Sequence, residues 1–243
     1  MTWYKDWFNS ENYLKVYKHR DDSEAEKLVV LIEKKLNLKP QSAVLDMACG
    51  AGRHAIAFAK KGFNVTAVDL SERLLEEAKK NAITAGVSID FTLSDILKFE
   101  TDLKFDLGVN LFTSIGYFED DEENFAVIKK ANSLIKDSGF FVLDYFNKDF
   151  LLKNLVPTSI ISENGVKITQ NRSISGNRVV KKIIIEKDGS IEEFYESVRL
   201  YSHEEIDFFM KRAGFNINKE MGDFYGNAYE EETSPRLILF AKK

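Results

Sequence analysis

The 243 residues include only one cysteine and three prolines. A single thiol, Cys49, excludes an intramolecular disulfide and a zinc cluster built on cysteines. Histidine is nearly as scarce: His19, His54 and His203 show no metal-ligand spacing, so no resident metal is expected. No apolar run reaches the ~18–20 residues that a membrane-spanning helix needs. The opening stretch, MTWYKDWFNSENYLKVYKHR, is aromatic and charged and lacks the apolar centre of a signal peptide. An excess of cations is also missing. The net charge is −5, which gives no reason to expect nucleic acid as a partner. There is no internal repeat and no low-complexity tract. These absences leave one domain with room for an insertion, expected in the cytoplasm, with neither nucleic acid nor membrane as partner. Oligomeric state is not legible.

What the chain does contain is ordered alternation. Residues 22–37 place Ala25, Leu28, Val29, Ile32 and Leu36 on one helical face. Residues 43–47 and 64–68 read as buried strands, with a helix from Arg53 to Lys61 between them, stopped by Gly62. Ser71 caps the next helix, whose inner stripe is Leu74, Leu75, Ala78 and Ala82, and Gly86 ends it. Strands are expected over 88–93, 105–110 and 140–146. A helix is expected from Asp120 or Asp121 to about Lys136, followed by a turn at Asp137-Ser138-Gly139. Such alternation predicts a parallel sheet with helices on both faces. Beyond residue 158 the texture changes. Strand-like runs are punctuated by Asn164-Gly165, Ser175-Gly176-Asn177 and Asp188-Gly189-Ser190, which are hairpin signals. We expect a small antiparallel insertion over 158–200. The core then comprises 1–157 and 201–243, ending in a helix at 202–213 and two strands near 215–222 and 236–242.

The chemistry concentrates at strand ends. In Val44-Leu45-Asp46-Met47-Ala48-Cys49-Gly50-Ala51-Gly52-Arg53-His54-Ala55 an apolar run ends in an acid, and a glycine turn then leads into a helix. Gly50 and Gly52 let bare backbone approach a ligand, and the helix start offers free N–H groups. Asp69 closes the second strand, where a carboxylate can accept both hydroxyls of a ribose. Asp95 follows the third strand, placed for an adenine amino group, and Asn110 closes the fourth. Open α/β sheets bind ligands at this edge. Gly50 to Ala55 also fits the dinucleotide fingerprint, so an NAD-dependent oxidoreductase is a competing class. Against it, Asp46 would repel a pyrophosphate but suits an ammonium. A second mononucleotide half is also not evident.

The segment VLDMACGAGRHAIAFAKKGFNVTAVDLSERLLEEAKKNA closely resembles class I S-adenosylmethionine-dependent methyltransferases, in the small-molecule branch with D-x-x-C-G-x-G-R and V-D-x-S motifs. The resemblance continues through Leu107–Phe118, Gly139–Asn147 and Tyr201–Ile206, and is weakest in 158–198. It implies a Rossmann-like, mostly parallel seven-stranded sheet with an antiparallel last strand. It implies S-adenosylmethionine as cofactor and S-adenosylhomocysteine as product. It assigns Ala48, Cys49, Gly50 and Gly52 to the methionine part and Asp46 to the ammonium. Asp69 goes to the ribose, with Leu70 stacked on adenine. Asp95 and Ile96 border the adenine, and Asn110 stands beside the sulfonium. An N-terminal helical cover brings in Tyr13 and Arg20.

For the acceptor, the residues give candidates rather than a motif. Tyr117, Phe118, Tyr145, Arg172, Tyr195, Arg199, Tyr201 and His203 are the polar or aromatic groups near the expected pocket, with Tyr117 and His203 as candidate catalytic groups. In 166–174, Gln170 and Arg172 interrupt an apolar face. In 190–201, Tyr195, Arg199 and Tyr201 share a face opposite Phe194, Val198 and Leu200. Arg172 and Arg199 hint at an anionic acceptor. Asn110-Leu111-Phe112-Thr113 lacks the prolines of enzymes that methylate exocyclic base amines. The cluster Trp3, Tyr4, Trp7 and Phe8 is a candidate lid. A binding protein without catalysis remains an open class.

Overall fold

In the computed structural model, residues 3–17 and 22–243 are described. The elements in chain order are helices α1 (Trp3–Phe8), α2 (Glu11–Val16) and α3 (Asp22–Leu36); strand β1 (Ala43–Met47); α4 (Arg53–Lys60); β2 (Asn64–Asp69); α5 (Glu72–Ala85); β3 (Asp90–Leu93) and β4 (Phe105–Asn110); α6 (Asp121–Leu134); β5 (Ile135–Phe146); α7 (Lys148–Asn154); β6 (Thr158–Glu163), β7 (Val166–Ser175), β8 (Arg178–Lys187) and β9 (Ser190–Arg199); α8 (His203–Arg212); and β10 (Asn216–Met221) and β11 (Arg236–Lys242).

Apolar, nearly uninterrupted β1, β4 and β5 lie centrally because both of their faces are covered. The seven-stranded sheet runs β10-β11-β5-β4-β1-β2-β3. All neighbours are parallel except β11, which is antiparallel to both β5 and β10. On one face, Leu28 and Ile32 of α3, Phe58 of α4 and Leu75 of α5 pack with Val44, Leu107 and Val142. On the other, Phe125 and Ile128 of α6 and Ile206 and Met210 of α8 pack with Leu45, Phe141 and Leu143. The chain reverses direction in strand order between β1 and β4, so the carboxyl ends of β1, β2 and β4 border one crevice.

Strands β6 to β9 form a separate four-stranded antiparallel meander. Its turns are the hairpin signals of the sequence. Asn164 and Gly165 both take positive φ, at 49° and 75°, as a type I′ turn requires. The N-terminal helices pack against this small sheet: Trp7 sits 4.6 Å from Phe194, ring to ring, and is nearly fully buried with Ile168, Ile183 and Ile185.

Two local expectations change. Helix α6 ends at Leu134 rather than near Lys136, and β5 begins at once at Ile135. Pairing then jumps from Phe105↔Ile135 to Leu107↔Phe140, so residues 136–139 bulge within the strand instead of preceding it. Helix α7, whose first turn is capped by Asn147 accepting from the Asp149 N–H, falls in a stretch without a helical apolar period.

Candidate functional site

The glycine turn is built on left-handed backbone. Ala48, Gly50 and Gly52 take φ of 64°, 55° and 83°. At Gly52 a Cβ would meet the Ala78 Cβ at 3.0 Å, so glycine here lets α4 start tight against α5. The turn is tied to β2. Asp69 Oδ2 accepts from the Gly50 N–H at 2.7 Å, and Oδ1 accepts from the Ser71 N–H at 2.8 Å. Each oxygen keeps a second lone pair. Burial is the main cause that pushes the Asp69 carboxyl above the usual range, and the backbone donors oppose it.

Two adjoining cavities open at this edge. The narrower is lined by Asp69, Leu70, Asp95 and Ile96, with Tyr4 and Phe118 across from them. Asp95 Oδ1 accepts from the Leu97 N–H at 3.0 Å, which fixes the loop after β3. The larger cavity, about 660 Å³, is lined by Cys49, Arg53, His54, Phe112, Thr113, Arg172, Lys181, Glu196 and Arg236, among others. Phe8, Tyr13, Ala48, Gly50, Ser114 and Tyr117 line both. Trp3, Tyr4, Phe8 and Tyr13 are therefore walls of the site, while Trp7 of the same cluster is buried against Phe194 instead. Arg20 lies outside the described residues.

Asp46, Gly52 and Asn110 lie behind the cavity surface rather than in it. Asp46 and Asn110 are 2% and 1% exposed, and each holds a side-chain oxygen, Oδ2 and Oδ1 respectively, with no hydrogen-bond partner. Burial, reinforced by the Asp69 charge, pushes the Asp46 carboxyl up to about 7. Two unpaired acceptors beneath a glycine cradle fit a ligand that brings positive charge, as a methionine ammonium and a sulfonium do. At Gly50 a Cβ would meet nothing within 4 Å, which leaves the cradle open. A cysteine thiol raised by burial, as at Cys49, is a neutral wall group here.

The Asp46 carboxyl has a pH consequence. Its folded pKa lies above the ordinary value of 3.8. Its contribution to stability is therefore full below about pH 4 and lost as pH rises through about 7. We expect the unliganded protein to lose stability as pH rises from about 4 to about 7, with an upper bound of about 4 kcal/mol from this group. Asp46→Asn should flatten that slope in denaturant titrations. An ammonium-bearing ligand should bind more tightly at pH 8 than at pH 6, and the variant should lose that difference.

The loop after β4 is held by long-range ties. Phe112 and Thr113 both take left-handed φ, at 63° and 61°, which is costly for these residues. Asp144 of β5, fully buried, receives the Phe112 N–H on Oδ2 at 2.8 Å and the Thr113 N–H on its backbone carbonyl at 2.9 Å. Arg236 of β11 donates from Nε to Asp144 Oδ1 at 2.8 Å and from Nη2 to Thr113 Oγ1 at 3.0 Å. The Arg53 and Arg236 guanidiniums lie over the Phe112 ring at 5.2 and 5.5 Å. Tyr117 closes the set by donating to the Thr113 carbonyl at 2.9 Å.

The cover is latched to the small sheet through Glu196. Its carboxylate accepts from Trp7 Nε1 at 2.7 Å, from Lys181 Nζ at 2.7 Å and from the Tyr17 hydroxyl. Burial opposes its ionisation, yet Lys181 and these donors hold it below the usual carboxylate range.

Several acceptor candidates stand elsewhere. His203 Nε2 is 3.0 Å from Glu220 Oε1, and its ring stacks on Tyr229; it is not part of either cavity wall. Arg199 pairs with Asp121 and Glu205, and Tyr201 donates to Asp121 at 2.7 Å. Tyr145 is fully buried and donates to the Arg199 carbonyl. Tyr195 is 45% exposed on the outer side of β9. The cause is register. Phe194 faces Ile183 and Glu196 faces Lys181, so the even-numbered side of β9 turns to the cavity and the odd-numbered side turns away. For β7 the expected face is the cavity face, and Arg172 lines it. Sequence reasoning missed Arg53, Lys181, Glu196 and Arg236, and it missed Leu151 and Leu155 at α7. For Glu196 the signal was alternation with Phe194 and Val198; for the others there was none.

A mostly parallel seven-stranded sheet with a slot at its switch point and a second cavity beside it is the Rossmann-like arrangement. Residues 44–139 match the family described as methyltransferase domain. A provisionally named methyltransferase of Geobacillus sp. (strain WCH70) is 27% identical over 209 residues, 82% of this chain and 84% of the relative. An S-adenosylmethionine-dependent methyltransferase from Clostridium acetobutylicum ATCC 824 superposes with a TM-score of 0.81 at 21% identity, covering 95% of each chain. The S-adenosylmethionine-bound amino pentose methyltransferase CalS10 from Micromonospora echinaspora superposes at 0.69 and 19% identity, covering 96% of this chain and 97% of that one. The chain thus contains a segment similar to a methyltransferase domain, within a fold that it shares with S-adenosylmethionine-dependent methyltransferases. Among the described residues no helix is long and apolar enough to cross a membrane, and no side-chain group could hold a metal ion.

Proposed function

We propose that this protein transfers the methyl group of S-adenosylmethionine to a nitrogen or oxygen of a small-molecule acceptor. The observation that carries the reading is adjacency. The slot at Asp69 and Asp95 and the larger cavity share Gly50, Ser114 and Tyr117 in their walls, so a donor and an acceptor can lie side by side. The bound cofactor supplies a methyl already activated on a sulfonium. What remains for the protein is alignment and exclusion of water, and orientation alone can contribute roughly 7–11 kcal/mol.

In this reading Asp69 binds the ribose and Leu70, Asp95 and Ile96 border the adenine. Ala48, Cys49 and Gly50 line the methionine part, while Asp46 and Asn110 act from beneath as buried acceptors. Tyr117 stands at the junction of the two cavities and is the wall residue placed to orient the acceptor. Trp3, Phe8 and Tyr13 form the roof. If the acceptor arrives protonated, a base is needed, and His54 is the imidazole in the cavity wall. CalS10, named for an amino pentose, is consistent with an acceptor of this size.

The test is release of S-adenosylhomocysteine from S-adenosylmethionine in the presence of a panel of amines, phenols and alcohols. Acceptor-dependent release, abolished by Asp69→Ala, is expected. Cofactor binding with no release across the panel would favour a non-catalytic binding protein.

A further inference from the structure

The cations of the larger cavity differ in how they are balanced. Lys181 meets Glu196 at 2.7 Å, and Arg236 meets Asp144 at 2.8 Å. Arg199, outside the cavity, has two carboxylates. Arg172 lines the cavity and has no carboxylate partner among the described residues. Its guanidinium is oriented by neutral oxygens alone: Nη2 donates to Gln170 Oε1 at 2.9 Å, and Nη1 donates to Ser159 Oγ at 3.0 Å and to the Val156 carbonyl at 3.4 Å. Gln170 is itself 4% exposed, a buried amide spent on holding this one side chain.

A guanidinium does not lose its proton in a protein. Held beside a cavity with no carboxylate partner, it is free to pair with an incoming anion. Three of its five N–H donors are used, which leaves the Nε hydrogen and one Nη2 hydrogen. Two donors on a planar fork match the two oxygens of a carboxylate. Phe112, Phe146, Leu151 and Leu155 give the same cavity an apolar and aromatic part of its wall.

We propose that the methyl acceptor carries a carboxylate on an apolar or aromatic body, and that Arg172 is the group that binds it. This rests on the methyl-transfer reading only in calling that molecule the acceptor; the anion site stands on the cavity. The experiment uses benzoate as probe, with benzamide as its neutral counterpart and inorganic phosphate as the other oxyanion. Binding is followed by thermal shift and titration calorimetry, with and without saturating S-adenosylhomocysteine.

The wild-type protein should bind benzoate at least ~10-fold more tightly than benzamide, the scale of a charge-assisted hydrogen bond. Arg172→Met should erase that advantage while leaving benzamide binding and the circular dichroism spectrum unchanged. Arg172→Lys should restore part of it. Equal binding of benzoate and benzamide, or a benzoate advantage that survives in Arg172→Met, overturns the proposal. So does phosphate binding as well as or better than benzoate. Loss of S-adenosylhomocysteine binding in the wild-type protein would overturn the methyl-transfer reading instead, and the benzoate arm without it would still report on Arg172.

Discussion

Asp69→Asn is expected to lower affinity for S-adenosylhomocysteine by about 100-fold while leaving the protein folded. The carboxylate already anchors Gly50 and Ser71 through its two oxygens. Each oxygen has one lone pair left for a hydroxyl donor. Hydrogen bonds to a charged group contribute about 1.5–3 kcal/mol each, so weakening two of them gives the two orders of magnitude. The amide keeps the shape but replaces one acceptor with a donor that faces the Gly50 or Ser71 N–H, so the glycine turn is perturbed as well. Burial raises the Asp69 carboxyl above its ordinary range, and affinity should therefore fall on acidification in the wild-type protein as this acid protonates. Calorimetric titration checks both points. Affinity within threefold of wild type in the variant would show that the ribose is not held here.

Asp144→Ala is expected to cost about 3–5 kcal/mol of stability, the range for breaking a buried ion pair by removing one partner. Asp144 is fully buried, and Arg236 is 18% exposed by side chain. Burial pushes the Asp144 carboxyl up even beside Arg236, so the pair as a whole contributes little net stability. The loss comes from what is left unpaired: the guanidinium and the Phe112 N–H. For a chain of this length the melting temperature should fall by about 10 °C. The effect should reach the site, because Phe112 and Thr113 keep their left-handed backbone only while Asp144 and Arg236 hold them. The catalytic rate should fall with cofactor affinity little changed. Replacing both partners with leucine should be milder than the sum of the single changes, because no charge is then stranded. A loss under 1 kcal/mol in Asp144→Ala would mean that the loop holds itself.

The cofactor side was legible because its signals are local. A buried parallel strand is a short continuous apolar run, and the acid that ends it stands out; Asp46, Asp69, Asp95 and the Asn110 amide were each placed at a strand end by this alone. The turn signals at 164–165, 176–177 and 188–189 likewise encode hairpins within a few residues. The acceptor side depends on contacts distant in sequence. Asp144 sits inside an apolar strand and gains meaning only when β11 pairs with β5, near Arg236. The parity of β9 follows from its register with β8, and alternation alone offers two faces without saying which is covered. Alternation therefore offers Arg199 and Tyr201 to the pocket as readily as to the other side, where Asp121 of α6 holds them. The helices of the cover are six residues each, too short for periodicity to show.

The central claim is that the crevice at Gly50, Asp69 and Asp95 binds the methyl donor. Titration calorimetry with S-adenosylhomocysteine, run beside NADH, tests it most directly. The account predicts saturable one-site binding of S-adenosylhomocysteine, tighter at pH 8 than at pH 6, and no binding of NADH. Binding of NADH in place of S-adenosylhomocysteine, or of neither by the folded protein, would contradict it.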